Sequence, residues 1–120
     1  MSRRLKQINQ AMRREISELI ARRINDPRIK GIVSVTEVEV SRDLAQAKVF
    51  ISFLGTDEEK VDLFHGLEAA SGFIRREVGG SLKLRFIPQL IFLPDDSIER
   101  GRQLLQLIDQ VISEESQPGT

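Results

Sequence analysis

The chain has 120 residues, enough for one domain with its own core, and 30% of them are charged, as in a soluble globular protein. It contains no cysteine and one histidine, which excludes disulfides, thiolate metal sites and thiol catalysis. No apolar run approaches the roughly 20 residues of a membrane-spanning helix, and the arginine-rich start lacks an apolar signal core, so we expect a cytoplasmic protein.

The net charge of zero conceals a segregation of charge along the chain. Residues 1–30 carry nine basic and three acidic side chains and residues 71–93 carry four and one, whereas residues 31–70 and 94–120 are net acidic. Folding can gather such segments into a basic and an acidic face, and a basic face predicts a polyanion as partner, most commonly RNA. A solvated surface of mixed charge is the alternative.

Residues 3–24 have the pattern of an amphipathic helix, which Asn25-Asp26-Pro27 ends because proline removes a backbone donor and restricts the residue before it. Six arginines lie in this helix. Together with the charge segregation, they favour phosphate contacts over plain solvation. The apolar stripe predicted to face the core consists of Leu5, Ile8, Met12, Ile16, Leu19 and Ile20.

Two strands follow this helix. The first, Ile32–Val40, is rich in β-branched residues, but its apolar alternation changes parity between Val35 and Val38. A slip of one residue exchanges the two faces of a strand, so we expect a bulge near Thr36-Glu37. The second strand is regular, and its predicted core-facing residues are Ala47, Val49, Ile51 and Phe53.

The stretch from Thr56 to Gly80 predicts a long helix with a flaw. Thr56 and Glu59 have capping-box spacing, and Gly79-Gly80 follow the last apolar position, as glycine usually does past a helix end. Ala70-Ser71-Gly72 predicts a kink that divides the helix in two, with Ser71 capping the second part, because Gly/Ser pairs are common kink sites. One slightly bent helix that tolerates the glycine is the alternative. The apolar positions at helical spacing are Val61, Phe64, Leu67, Ala70, Ile74 and Val78.

A third strand is expected within the period-two apolar pattern from Leu84 to Phe92. It should pair mainly over 88–93, because proline cannot donate within a central ladder. Asp95-Asp96-Ser97 offers caps for a last helix, whose apolar residues are Ile98, Leu104, Leu105, Leu107, Ile108, Val111 and Ile112. Residues 114–120 are typical of a flexible tail, so we expect one domain over residues 1–113.

The order α-β-β-α-kink-α-β-α indicates an α+β domain with a small sheet and helices packed on one face. Five short stretches within it are weak singly but specific in their order and spacing. They are Asn25-Asp26-Pro27-Arg28, the run 38–45, Ala47-Lys48-Val49, the run 70–75, and Pro88-Gln89-Leu90-Ile91-Phe92. In these stretches the chain resembles the ribosome-binding factor A family of bacteria.

The resemblance implies a type II KH-like fold with a three-stranded mixed sheet, in which the first strand is central, antiparallel to the second and parallel to the third. It implies an Ala-x-Gly kink at residues 70–72 in place of the GXXG loop with which KH domains usually clamp RNA. This chain has no GXXG.

The implied role is non-enzymatic: binding of the small (30S) ribosomal subunit and its 16S rRNA, and assistance to late 30S maturation and rRNA processing, including in the cold. We expect a monomer without cofactor or metal. A ribosome-associated GTPase that promotes release is a further partner to be tested.

RNA-binding residues are predicted from the basic segments and the kink. A new helix start at Ser71 would offer free N–H groups to a phosphate, with Arg75 and Arg76 one turn on. The absence of Trp and Tyr, with most of the six Phe at core spacing, argues against base stacking. The predicted RNA-binding residues are Arg3, Arg4, Arg14, Arg22, Arg28, Lys48, Ser71, Gly72, Arg75, Arg76, Lys83 and Arg85.

Two other function classes stay open. A protein–protein adaptor would use the acidic residues 57–62. A small enzyme would use Asp95, Asp96 and His65 as paired acids with a base. However, helix capping accounts for the aspartates, and His65 is a lone titratable group.

Overall fold

A computed structural model describes residues 3–96 and 104–112. The predicted α+β class with a three-stranded mixed sheet is confirmed. None of the described helices is long and apolar enough to cross a membrane. The elements are α1 (Arg3–Arg22), β1 (Ile32–Val40), β2 (Gln46–Leu54), α2 (Asp57–Leu82), β3 (Gln89–Pro94) and the helical segment α3 (104–112).

The central strand of the sheet is β2, which pairs antiparallel with β1 and parallel with β3. The expectation that β1 is central is therefore wrong. The chain leaves β2, crosses over through α2 and returns as β3, and such a strand–helix–strand unit places its two strands side by side in parallel. β1 is joined to β2 by a short turn and takes the other edge.

The bulge predicted in β1 is confirmed, because its register with β2 shifts between Val35 and Glu37. The shift lets Val35 and Val38 both point into the core, although they differ in parity. The buried side chains of all three strands share one face, on which α1 packs against β1 and α2 against β3.

The predicted stripe of α1 faces this core. Met12, Ile16 and Leu19 are fully buried, and the other three members are partly buried against them. Of the predicted positions of α2, Val61 is exposed, and Leu63 occupies the buried place instead. Burial of these aliphatic side chains, about 1.5–3 kcal/mol each, is the main stabilising term.

α2 is one continuous helix of 26 residues. The capping box of Thr56 and Glu59 is present, but the predicted division at Ser71-Gly72 is wrong, as is the predicted stop at Gly79-Gly80. A mid-helix glycine costs about 1 kcal/mol of stability. Leu67 and Ile74, on either side of Gly72, are fully buried, and their burial stabilises the helix by more than this cost. Ser71 therefore starts no new helix.

The predicted last helix is present in α3, whose six large aliphatic side chains are all exposed. Ser97, Ile98 and the tail 114–120 lie outside the described residues. The domain boundary at residue 113 stays a prediction.

Candidate nucleic-acid interface

The last turn of α2 lies against the segment that leads into β3. A Cβ atom built on Gly79 would overlap with Cδ1 of Ile87 and would lie 2.7 Å from its Cγ1. Real Cβ atoms do not approach other heavy atoms so closely, so the glycine is what allows this contact. Gly79 thus packs the helix against the segment, and α2 continues to Leu82.

α2 ends at Lys83, which caps the helix in the left-handed conformation with φ 54°. The backbone N–H groups of Lys83 and Leu84 both donate to the carbonyl oxygen of Gly79. These bonds satisfy a carbonyl that the helix end would otherwise leave open. They also set the direction in which the chain leaves the helix.

Arg75 holds the other end of the same segment. Its Nε donates to the carbonyl oxygen of Pro88 at 3.0 Å, and its Nη2 donates to that of Ile87 at 3.0 Å. Pro88 is almost fully buried. The five residues 83–87, which we call the anchored loop, are therefore fixed at the start by the helix cap and at the end by Arg75 and Gly79.

The anchored loop and the N-terminal half of α1 form the two walls of a groove of about 620 Å³. This basic groove brings together Arg4, Lys83 and Arg85, three of the predicted RNA-binding residues. No acidic residue lines it. Within the described ranges 3–96 and 104–112, none of these three cations makes an ion pair. The remaining lining residues are Gln7, Ile8, Ala11, Leu44, Leu82, Leu84 and Phe86.

The start of α1 adds to the positive potential of the groove. Its first turn contains no acidic residue and includes Arg3 and Arg4. The N-terminal end of a helix carries a partial positive charge that favours anions. The partial charge of the helix end and the charges of Arg3 and Arg4 are therefore all positive, which favours the binding of a phosphate in the groove.

Two predicted residues at the other end of α1 have acidic partners instead. Arg22 pairs with Glu18 at 3.1 Å. Arg28 binds both carboxylate oxygens of Asp26, through Nε at 3.1 Å and Nη2 at 2.8 Å. These bonds and the backbone N–H of Arg28 lower the pKa of Asp26 to about 2. Each of these arginines therefore has a carboxylate beside it, which opposes the approach of a phosphate to the same guanidinium.

The other predicted residues do not join the groove. Ser71 and Arg75 line a second hollow of about 400 Å³ together with Glu68 and Gln89, where the carboxylate opposes anion binding. Lys48 lies on the open face of the sheet, opposite Glu39 of β1. Arg14 is exposed on α1, and Gly72 and Arg76 are exposed on α2.

A model of the ribosome-binding factor A family matches residues 4–108. The chain belongs to this family. It is 44% identical over 107 residues to the ribosome-binding factor A of Acetivibrio thermocellus, which covers 89% of this chain and 87% of the relative. Such identity over nearly the full length of both chains confirms the resemblance seen in the short stretches.

Solved structures of ribosome-binding factor A share the fold. The crystal structure of the Thermus thermophilus protein matches with a TM-score of 0.66 at 22% identity, over 75% of this chain and 94% of the other. A homology model of the Thermus thermophilus factor, fitted into the cryo-EM map of a 30S complex, matches with a TM-score of 0.60 at 23% identity, over 73% and 91%. At these identities the likeness shows the fold.

Asp95 and His65, which the enzyme alternative would use as an acid and a base, do not form a catalytic site with each other in this structure. The Asp95 carboxylate accepts a hydrogen bond from the Thr36 hydroxyl, and the Asp95 N–H donates to the Ile51 carbonyl oxygen at 2.7 Å. Asp95 thus ties the end of β3 to the bulge of β1. His65 is exposed on α2. The described part of the chain contains no group of three His, Asp or Glu residues that could hold a metal ion.

Proposed function

We propose that this member of the ribosome-binding factor A family binds the small (30S) ribosomal subunit through phosphates of its 16S rRNA, without catalysing a reaction. The observation that carries the proposal is the basic groove, in which Arg4, Lys83 and Arg85 converge without an acidic residue. The complex of the Thermus thermophilus factor with the 30S subunit supports the same partner.

The finer role that we propose is assistance to late 30S maturation and rRNA processing, including in the cold, by a monomeric cytoplasmic protein. Phosphate contacts provide affinity, and the shape of the groove and its surroundings provides register on a folded RNA. Neither requires a catalytic pocket. Release by a ribosome-associated GTPase belongs to the same proposal.

Sedimentation tests the partner. In a sucrose gradient at low salt, tagged protein should move with free small subunits and their precursors and not with translating ribosomes. The variant Arg4→Ala/Lys83→Ala/Arg85→Ala should stay at the top of the gradient, while Arg14→Ala/Arg22→Ala/Arg28→Ala, which also removes three charges, should still sediment. Wild-type protein that stays at the top would contradict the proposal. Binding insensitive to salt would favour the adaptor.

A further inference from the structure

Phe86 differs from the other phenylalanines of the chain. Its side chain is 70% exposed, whereas Phe50, Phe53, Phe64, Phe73 and Phe92 are all partly buried. Single exposed hydrophobic residues are common on protein surfaces and need no explanation by themselves. Any role for Phe86 must therefore rest on how the ring is held and on what surrounds it.

The segment that carries the ring is held at both ends. Phe86 belongs to the anchored loop, whose first residues bond to the Gly79 carbonyl oxygen and whose last residue, Ile87, is packed on Gly79 and bonded by Arg75. An aromatic side chain presented from such a loop loses little conformational entropy when it binds a partner.

The surroundings of the ring are cationic. The guanidinium carbon of Arg85 lies over the Phe86 ring, 5.7 Å from its centroid, within the range of a cation–π contact. Arg4 and Lys83 line the same groove. The volume of this groove is about 620 Å³. An apolar ring, a planar cation and two further positive charges match the base and the phosphates of a nucleotide.

We propose that Phe86 is a stacking platform for an unpaired base of the bound RNA, and that Arg4, Lys83 and Arg85 contact the phosphates beside that base. This inference rests on the proposed function and adds that the groove takes single-stranded RNA. The faces of bases within a duplex are covered by their neighbours, whereas unpaired bases offer a face to an aromatic ring or a guanidinium plane.

Fluorescence anisotropy on the full chain tests this, with oligouridylate of about 12 nucleotides, a length within the usual site sizes, and a blunt RNA duplex of equal length. Phe86→Ala should weaken binding of the oligouridylate by about five- to a hundredfold and leave duplex binding within twofold. Phe86→Tyr should bind like the wild type, because it keeps the ring. Phe86→Leu should resemble Phe86→Ala, because it keeps only the apolar volume.

Three outcomes would overturn the stacking role. Phe86→Leu binding as well as the wild type would show an apolar contact, and a loss of 30S binding with unchanged oligouridylate binding would show a contact with a ribosomal protein. Upfield shifts of the Phe86 ring protons on addition of oligouridylate should accompany true stacking, and unchanged shifts would also overturn it. If the triple variant of the groove cations keeps full 30S affinity, the proposed function of the groove fails instead.

Discussion

The side chain of Ile87 packs directly on the backbone of Gly79. Any residue with a Cβ atom at position 79 would displace the Ile87 side chain. The last turn of α2 and the approach to β3 meet at this contact, and Lys83 and Arg85 lie in the loop between these two elements. The glycine is important for packing, while its intrinsic helix propensity is poor. It thereby couples the stability of the fold to the geometry of the basic groove.

Replacement of Gly79 should therefore be costly. Gly79→Ala should lower the free energy of unfolding by about 1–3 kcal/mol, because overpacking against Ile87 outweighs the better helix propensity of alanine. Gly80→Ala is the matched control: nothing lies within 4 Å of its Cβ position, so it should raise stability by up to about 1 kcal/mol. Urea unfolding measures both, and equal midpoints for the two variants would contradict the packing role.

The two hydrogen bonds that Arg75 donates to the anchored loop and Pro88 predict a second effect on the free energy of unfolding. Arg75→Ala leaves the carbonyl oxygens of Ile87 and Pro88 without their charged donor, which should cost about 1–3 kcal/mol and speed amide exchange in residues 83–87. Arg75→Lys should not restore the wild type, since an ammonium cannot reproduce the planar fork.

Arg76→Ala, at an exposed neighbouring position, is the control and should change stability by less than about 0.5 kcal/mol. Equal effects of Arg75→Ala and Arg76→Ala on the free energy of unfolding would show that the hydrogen bonds of Arg75 do not stabilise the fold. Arg75→Ala that stays fully stable but loses RNA affinity would return this arginine to the direct contacts predicted from the sequence.

Salt dependence separates the groove from the paired arginines. Each phosphate contact contributes about 0.7–0.9 to the slope of log affinity against log salt. Arg4→Ala/Lys83→Ala/Arg85→Ala should flatten the slope of 30S binding by about two to three units. Arg14→Ala/Arg22→Ala/Arg28→Ala should flatten it by less than about one unit, because Arg22 and Arg28 already face Glu18 and Asp26. The reverse ranking would move the interface to the other end of α1.

The ion pair of Asp26 and Arg28 should make the stability of the fold depend on pH in the acid range. The pKa of Asp26 is about 2 in the folded protein, against its usual 3.8, so the ionised form is favoured by folding. The stabilisation is complete above the usual value and is lost as the pH falls from about 4 to about 2. Asp26→Asn should therefore flatten the dependence of the melting temperature on pH in this window, and parallel curves for the two proteins would contradict the pairing. The lowered pKa values of Asp43 and Glu59 leave a remaining slope.

Local patterns predicted most of the fold. The capping box of Thr56, the apolar stripe of α1 and the bulge of β1 depend on residues near one another in sequence, and the structure has all three. The central position of β2 depends on strand pairing across the α2 crossover, to which no local pattern refers. Gly79 has the sequence pattern of a helix stop, but its role is decided by Ile87, which lies eight residues later.

The candidate site was predicted only in part. Arg4, Lys83 and Arg85 belong to the predicted set, yet charge alone could not distinguish them from Arg28, whose partner Asp26 lies two residues away. Phe86 was missed because its period-two spacing with Pro88 is typical of a buried strand position. Its exposure arises because β3 begins only at Gln89, after the anchored loop. The expectation that most of the phenylalanines lie at core positions is correct, and Phe86 is the exception.

Gly72 decides whether the middle of α2 belongs to the interface. The helix is continuous there and nothing lies within 4 Å of the Cβ position of Gly72, so Gly72→Ala should raise stability by up to about 1 kcal/mol. Because the basic groove lies at the far end of α2, 30S affinity should stay within twofold. Gly80→Ala provides a control with the same chemical change at another open helical site. A loss of affinity for Gly72→Ala alone, in a protein that melts at a higher temperature, would show that RNA approaches the bare backbone at residue 72 and would place the interface where the sequence predicted it.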